Sequence, residues 1–140
     1  MMLKKYDIGQ VYMGRLDKDD DLLEKLTEVI NENEIDTGVI KVIGAVQNAK
    51  IGFYNQETYQ YEYMTFDQEM EIVSCIGNIS YLEGERFIHA HIVLADQDGS
   101  CYGGHLAEGT KVFASEFYIQ SLKGDKLNRT HDDKTQLTLW

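Results

Sequence analysis

Residues Glu71 to Leu106 read EIVSCIGNIS YLEGERFIHA HIVLADQDGS CYGGHL, and three of the four histidines of the chain, His89, His91 and His105, lie inside this stretch. Met70–Ile76 has the composition of a strand. Side chains alternate between faces, which sets Ile72, Ser74 and Ile76 on one side and Glu71, Val73 and Cys75 on the other. A carboxylate on an apolar face needs a cation, a hydrogen-bond donor or a metal, so Glu71 is a candidate site residue. Gly77-Asn78 is a turn or kink signal. Phe87–Ala95 is apolar on both faces, the pattern of a central or covered strand. Phe87, His89, His91 and Val93 point one way, and Ile88, Ala90, Ile92 and Leu94 the other. Asp96-Gln-Asp-Gly-Ser100 then turns the chain. If Gly99 takes the left-handed position of a three-residue loop with a bulge, Asp96 pairs with Ser100 and His91 lies opposite His105. A two-residue Asp-Gly turn would set His105 opposite Ile92, on the other face. The register decides whether the three rings meet.

If they meet, the chemistry is that of a divalent metal. Three neutral imidazoles are an ordinary ligand set for zinc and leave a fourth position open. Zinc is preferred over other divalent metals by ligand type. The H-x-H pair shares a strand face, and a cross-strand partner lies about 4.5–5.5 Å away between Cβ atoms. The alternative is a set of hydrogen-bonded histidines in the core or at a subunit interface. An open position on zinc also admits a hydrolase, because the metal acidifies bound water. Such an enzyme needs a general base and a cleft; Glu71 and Glu116 are the candidates for the base. Each can instead pair with Arg15 or another basic residue.

Outward from this stretch, residues 6–16 read as a strand that closes on Arg15, itself a candidate for an ion pair or an anion contact. Asp21 followed by Glu24 is a capping pattern. Leu22, Leu23, Leu26, Val29 and Ile30 recur at helical spacing, which predicts a helix over 22–33. Gly38–Ile43 and Ala49–Tyr54 are two strand-like runs with a bend or bulge at Gly44-Ala45. Tyr59, Tyr61, Tyr63 and Thr65 alternate onto one face, as in sheet packing. No basic residues separate these rings, which argues against stacking on single-stranded nucleic acid. Val112–Leu122 is a last long strand with Phe113, Ser115, Phe117 and Ile119 together and Glu116 beside Val112, Ala114 and Tyr118. From Lys123 the tail is polar, and His131 beside Asp132 and Asp133 is expected to be exposed.

Composition narrows the class. The 140 residues suit a single domain, and 43% hydrophobic with 26% charged content is ordinary for a folded protein. No apolar run approaches the ~20 residues of a membrane span, and the first residues lack an apolar signal core. The expectation is a cytoplasmic protein with no membrane partner. Cys75 and Cys101, without C-x-x-C spacing, are expected to be reduced. The net charge of −11, with its basic residues scattered, is a poor match for a phosphate backbone. Direct DNA binding is therefore not expected.

Arg15, the helix from Asp21, Gly44-Ala45-Val46, Glu71-Ile72-Val73-Ser74 with Gly77-Asn78, His89-x-His91, Asp98-Gly99 and Gly103-Gly104-His105-Leu106 together resemble the PPC domain conserved in plants and prokaryotes. The likeness covers about 6–122, the core of one domain spanning 1–140, with 123–140 as tail. The resemblance implies an α/β fold of the α+β type: a strongly bent, mostly antiparallel sheet packed with one main helix and assembled as a homotrimer. It also implies a histidine cluster suited to a metal and a regulatory, transcription-associated role with a small-molecule or protein partner. The label of DNA-binding protein travels with the family. Plant members carry a basic AT-hook, and no such segment occurs in these 140 residues. Their G-R-F-E-I-L segment is matched by Gln68-Glu69-Met70-Glu71-Ile72-Val73, which keeps Glu-Ile and loses the Arg.

Overall fold

A computed structural model describes residues 2–140. The chain forms β1 (Asp7–Leu16), α1 (Leu22–Glu32), β2 (Gly38–Asn55), β3 (Gln60–Phe66), β4 (Met70–Leu82), β5 (Glu85–Ala95), β6 (Cys101–Leu106), β7 (Lys111–Lys123), β8 (Thr130–Asp132) and β9 (Leu137–Leu139). The main sheet runs β1-β7-β2-β4-β5-β6, and its strand pairs are antiparallel. β3 pairs with β2 off this path, and β8 and β9 form a separate small hairpin.

The two runs expected on either side of Gly44-Ala45 are one 18-residue strand, β2. Its first half pairs with β7 and β4; its second half pairs with β3 and, at Ile51 and Gly52, with Leu106 and His105 of β6. One strand thus touches both the middle and the end of the ladder, which bends the sheet back on itself. The bend falls where the register shifts, next to Gly44 at φ +139. Only glycine adopts that backbone cheaply.

α1 starts as its sequence dictates. The Asp21 carboxylate accepts from the Leu23 and Glu24 N–H groups at 3.0 and 3.1 Å, satisfying donors the first turn would otherwise leave unpaired. Leu22, Leu26 and Ile30 are fully buried against the inner face of the sheet, together with Ile40, Ile79, Ile92, Leu94 and Ile119.

The outer face carries the histidines. Met13, Tyr118, Lys41, Ile76, His91 and His105 are successive cross-strand partners along one row. The next row begins Arg15, Glu116, Ile43. This face exposes apolar side chains among Lys41, Arg15 and Glu116: Met13, Ile43, Val73, Ile76 and Phe113 each show more than half of their surface.

The structure corrects two expectations about faces. Val73 is an extra residue in a bulge between Ile72 and Ser74. Past it the alternation reverses, so Cys75 is buried, Val73 and Ile76 are exposed, and Glu71 is exposed on the outer face rather than buried. A second bulge at Phe113 lies between Val112 and Ala114. Val112 turns inward with Ser115, Phe117 and Ile119, while Phe113 and Glu116 are exposed. β4 also runs straight through Gly77-Asn78. Gly77 marks a close approach rather than a turn, because a Cβ there would lie 2.5 Å from the His89 carbonyl oxygen.

The tail is anchored to the sheet. Tyr81 and the tail exchange backbone hydrogen bonds, Tyr81 N–H to Leu127 O at 2.7 Å and Arg129 N–H to Tyr81 O at 2.8 Å, and Leu127 is buried. The Arg129 guanidinium donates to Ser80 Oγ at 2.8 Å, Asn78 Oδ1 at 3.1 Å and the Thr138 carbonyl at 3.1 Å. It holds the β8–β9 hairpin beside β4 and β5. His131 is exposed as expected, 3.4 Å from Asp133. Both cysteines are free; Cys75 is buried, which pushes its thiol up to about 12, and Cys101 is exposed. Among the described residues no helix is long and apolar enough to cross a membrane.

Candidate metal centre

The hairpin between β5 and β6 sets the site. Gly99 has φ +78, its N–H bonds to Asp96 O at 3.0 Å, and Asp96 N–H bonds to Ser100 O at 3.0 Å. The Asp96 side chain closes the loop on the N–H groups of Asp98 and Ser100. This is the three-residue loop with a left-handed glycine. His91 consequently pairs with His105.

One nitrogen from each of His89, His91 and His105 can be chosen so that all three lie within 4.8 Å of one another. His89 Nε2 and His105 Nδ1 are 3.1 Å apart. Ring centroids are 4.2 Å apart for His91–His105, 5.1 Å for His89–His105 and 5.2 Å for His89–His91. Two imidazoles on one tetrahedral zinc at bonds of 2.0–2.1 Å stand about 3.3 Å apart, so the closest pair has the spacing of co-ligands. Burial, then the positive charge of Arg129 and the neighbouring imidazoles, pushes His89 down to about 4. Burial and then His91 push His105 down. Both rings are neutral near pH 7, the form that binds metal. The donor set fits a divalent ion with a position left open.

The surroundings are aromatic and cationic. Tyr61 meets His105 edge to face at 5.2 Å, and Tyr61 and Tyr63 stack at 6.3 Å. The tyrosine stripe therefore walls the histidines, although Tyr59 turns out of the strand at φ 57. Lys50 lies over the Tyr63 ring at 4.8 Å and Arg129 over Phe87 at 5.2 Å. Together with His89 and His105, Lys50, Tyr61, Tyr63 and Phe87 line a cleft of about 490 Å³.

The three other expected site residues are not brought to this cleft. Glu71 pairs with Ala95, four residues along β5 from His91, or about 13 Å at ~3.3 Å per residue. Glu116 lies three strands from His91 and Arg15 four, roughly 14 and 19 Å at ~4.8 Å per strand. Arg15 contacts Asp17 at 3.9 Å, with both side chains exposed, and lines a separate hollow with Glu116. Sequence reasoning missed Lys50 and Arg129. The only signal for Lys50 was its place two residues before Gly52, and Arg129 had none beyond being the last arginine.

A bent antiparallel sheet with one helix carries an outward trio of imidazoles that could hold a metal ion. The Plants and Prokaryotes Conserved domain matches residues 3–123, and the chain belongs to that family. A metal-containing protein from Archaeoglobus fulgidus is similar at 36% identity, over 100% of this chain and 99% of that one, with a TM-score of 0.95. The plant- and prokaryote-conserved protein of Pyrococcus horikoshii is similar at 35% identity, over 100% and 96%, with a TM-score of 0.93. A Bacteroides thetaiotaomicron protein, provisionally described as DNA-binding, is similar at 27% identity, over 96% and 95%, with a TM-score of 0.86. No curated protein matches the chain.

Proposed function

We propose that the chain is a divalent-metal module in which His89, His91 and His105 hold zinc and leave one position open. It works as a homotrimer in regulation, through a small-molecule or protein partner. The observation that carries the metal is the convergence of three imidazole nitrogens within 4.8 Å. A similar protein is described as metal-containing, which supports the same reading. The homotrimer is supported by the exposed apolar face of the sheet, since a contiguous patch of that kind marks an interaction surface. Duplex DNA is disfavoured by the net charge of −11. The zinc-hydrolase reading lacks its expected bases, because Glu71 and Glu116 stand strands or residues away.

Metal analysis of freshly purified protein tests the proposal. Wild type is expected to carry about one zinc per chain, and His89→Ala and His105→Ala to carry little while keeping the circular dichroism of the fold. Added zinc at a hundredfold over its Kd should stabilise wild type by about 2.7 kcal/mol and leave the variants unchanged. Equal, negligible metal in all three proteins would make the histidines structural.

A further inference from the structure

The cleft beside the histidines is lined by one cation, Lys50, and a second, Arg129, lies over the ring of its wall residue Phe87; neither holds a carboxylate. The chain has 24 acidic and 13 basic side chains, so a basic group has many anions to choose from. Among the described residues, salt bridges join Lys4, Arg15, Lys25, Arg86 and Lys126 to aspartate or glutamate; Lys50 and Arg129 are among the eight basic side chains joined to none, and Arg129 is partly buried. The Lys50 ammonium rests on the Tyr63 ring, and both line the cleft with His89 and His105. Arg129 spends its bonds on neutral acceptors, Ser80, Asn78 and Thr138, while burial disfavours its charge. A guanidinium stays charged regardless. It lies 5.2 Å from the centroid of the Phe87 ring, which lines the cleft. Leaving a partly desolvated cation without an anion is costly, and a dication on the histidines would add to the local positive field. The rest of the wall is apolar or aromatic: Leu23, Leu82, Phe87, Tyr61 and Tyr63. Glu108 is the one lining carboxylate, and it is exposed.

We propose that this cleft binds a small organic carboxylate. The carboxylate head takes the metal's open position beside Lys50, within the field of Arg129, and the apolar body lies on Tyr61, Tyr63 and Phe87. The metal part rests on the function proposed above; the two cations and the aromatic wall do not. A carboxylate suits one ammonium better than a phosphate does, since phosphate sites gather several donors around three oxygens. An anionic ligand also gives neutral imidazoles and unpaired cations a reason to share one wall.

The test is isothermal titration of benzoate, benzamide and phenyl phosphate into zinc-loaded protein, with zinc measured on the same samples. Benzoate is expected to bind at least tenfold more tightly than its neutral isostere benzamide, and more tightly than phenyl phosphate. Lys50→Met should weaken benzoate about tenfold, leaving benzamide and zinc content unchanged. Arg129→Met should weaken it too; because that residue anchors the tail, its melting curve is read alongside, and Lys50→Met alone suffices if it unfolds. Zinc-loaded protein that binds benzoate and benzamide equally, or binds neither, overturns the proposal, as does indifference to Lys50→Met. Tighter binding of phenyl phosphate overturns the assignment to carboxylates. Protein that holds no zinc but binds benzoate through Lys50 sinks the metal and keeps the anion cleft.

Discussion

Gly103 and Gly104 are neighbours on β6, but replacing each by alanine is expected to have opposite consequences. A Cβ on Gly104 would lie 2.6 Å from the Gly52 carbonyl oxygen and 3.4 Å from Ile51 Cβ. A Cβ on Gly103 would meet Ile92 O at 3.3 Å and Val93 Cγ2 at 3.5 Å. The first is short of ordinary contact by about 0.8 Å against backbone, which cannot swing aside; the second is nearly normal. Overpacking of this kind costs roughly 1–3 kcal/mol. To relieve it β6 must move away from β2 at the point where Gly52 pairs with His105. His105 Nδ1 sits 3.1 Å from His89 Nε2, so a shift of most of an ångström spoils the shared centre. Changes that disturb a ligand's support typically cost 10–100-fold in metal affinity. Gly104→Ala should therefore lose that much in a competition of zinc against a chromophoric chelator, and roughly 1–3 kcal/mol in urea unfolding of the metal-free protein. Gly103→Ala should stay within about threefold and ~0.5 kcal/mol, as for a surface substitution. Equal losses in the two variants, or none in Gly104→Ala, would refute the idea that the β2–β6 contact aims His105.

Two further outcomes follow from charge and surface. His89 is depressed to about 4 when folded, below its unfolded value of about 6.5. The unfolded chain then binds the extra proton, so the metal-free protein should lose stability as pH falls from about 6.5 toward 4 and level off below; His89→Gln should flatten that limb of the urea midpoint against pH. Ile43→Glu and Met13→Glu place charges on the exposed outer face. They should shift sedimentation from trimer to monomer without unfolding the chain, and a monomeric wild type would remove the case for that interface.

What could be read from residue order alone follows a physical division. The helix was legible because its cap and its stripe are local: Asp21 bonds within three residues, and Leu22, Leu26 and Ile30 recur on one face. The hairpin was legible as a pair of alternatives, and Gly99 at φ +78 selects the one that joins His91 to His105. β8, β9 and Arg129 were not legible. Three-residue strands have no usable period, and the tail is held by side-chain bonds to Asn78 and Ser80 some fifty positions upstream.

The two bulges show why the site was only half visible. An inserted residue in a strand is announced when it must be glycine, and neither Val73 nor Phe113 is. Each is apolar and fits a period-two pattern on either face, so strict alternation was the natural expectation. One added residue in each strand reverses the faces on its far side. Glu71 and Glu116 were expected to sit among buried apolar groups and so to demand a partner; with the faces reversed around them, both are exposed on the outer face of the single chain. Neither of the two expected bases therefore stands beside the histidines; the carboxylate that lines their cleft is Glu108. What the histidines have for neighbours is Lys50, Tyr61, Tyr63 and Arg129. Lys50 and the aromatic rings on that cleft's wall are the features on which the carboxylate proposal rests.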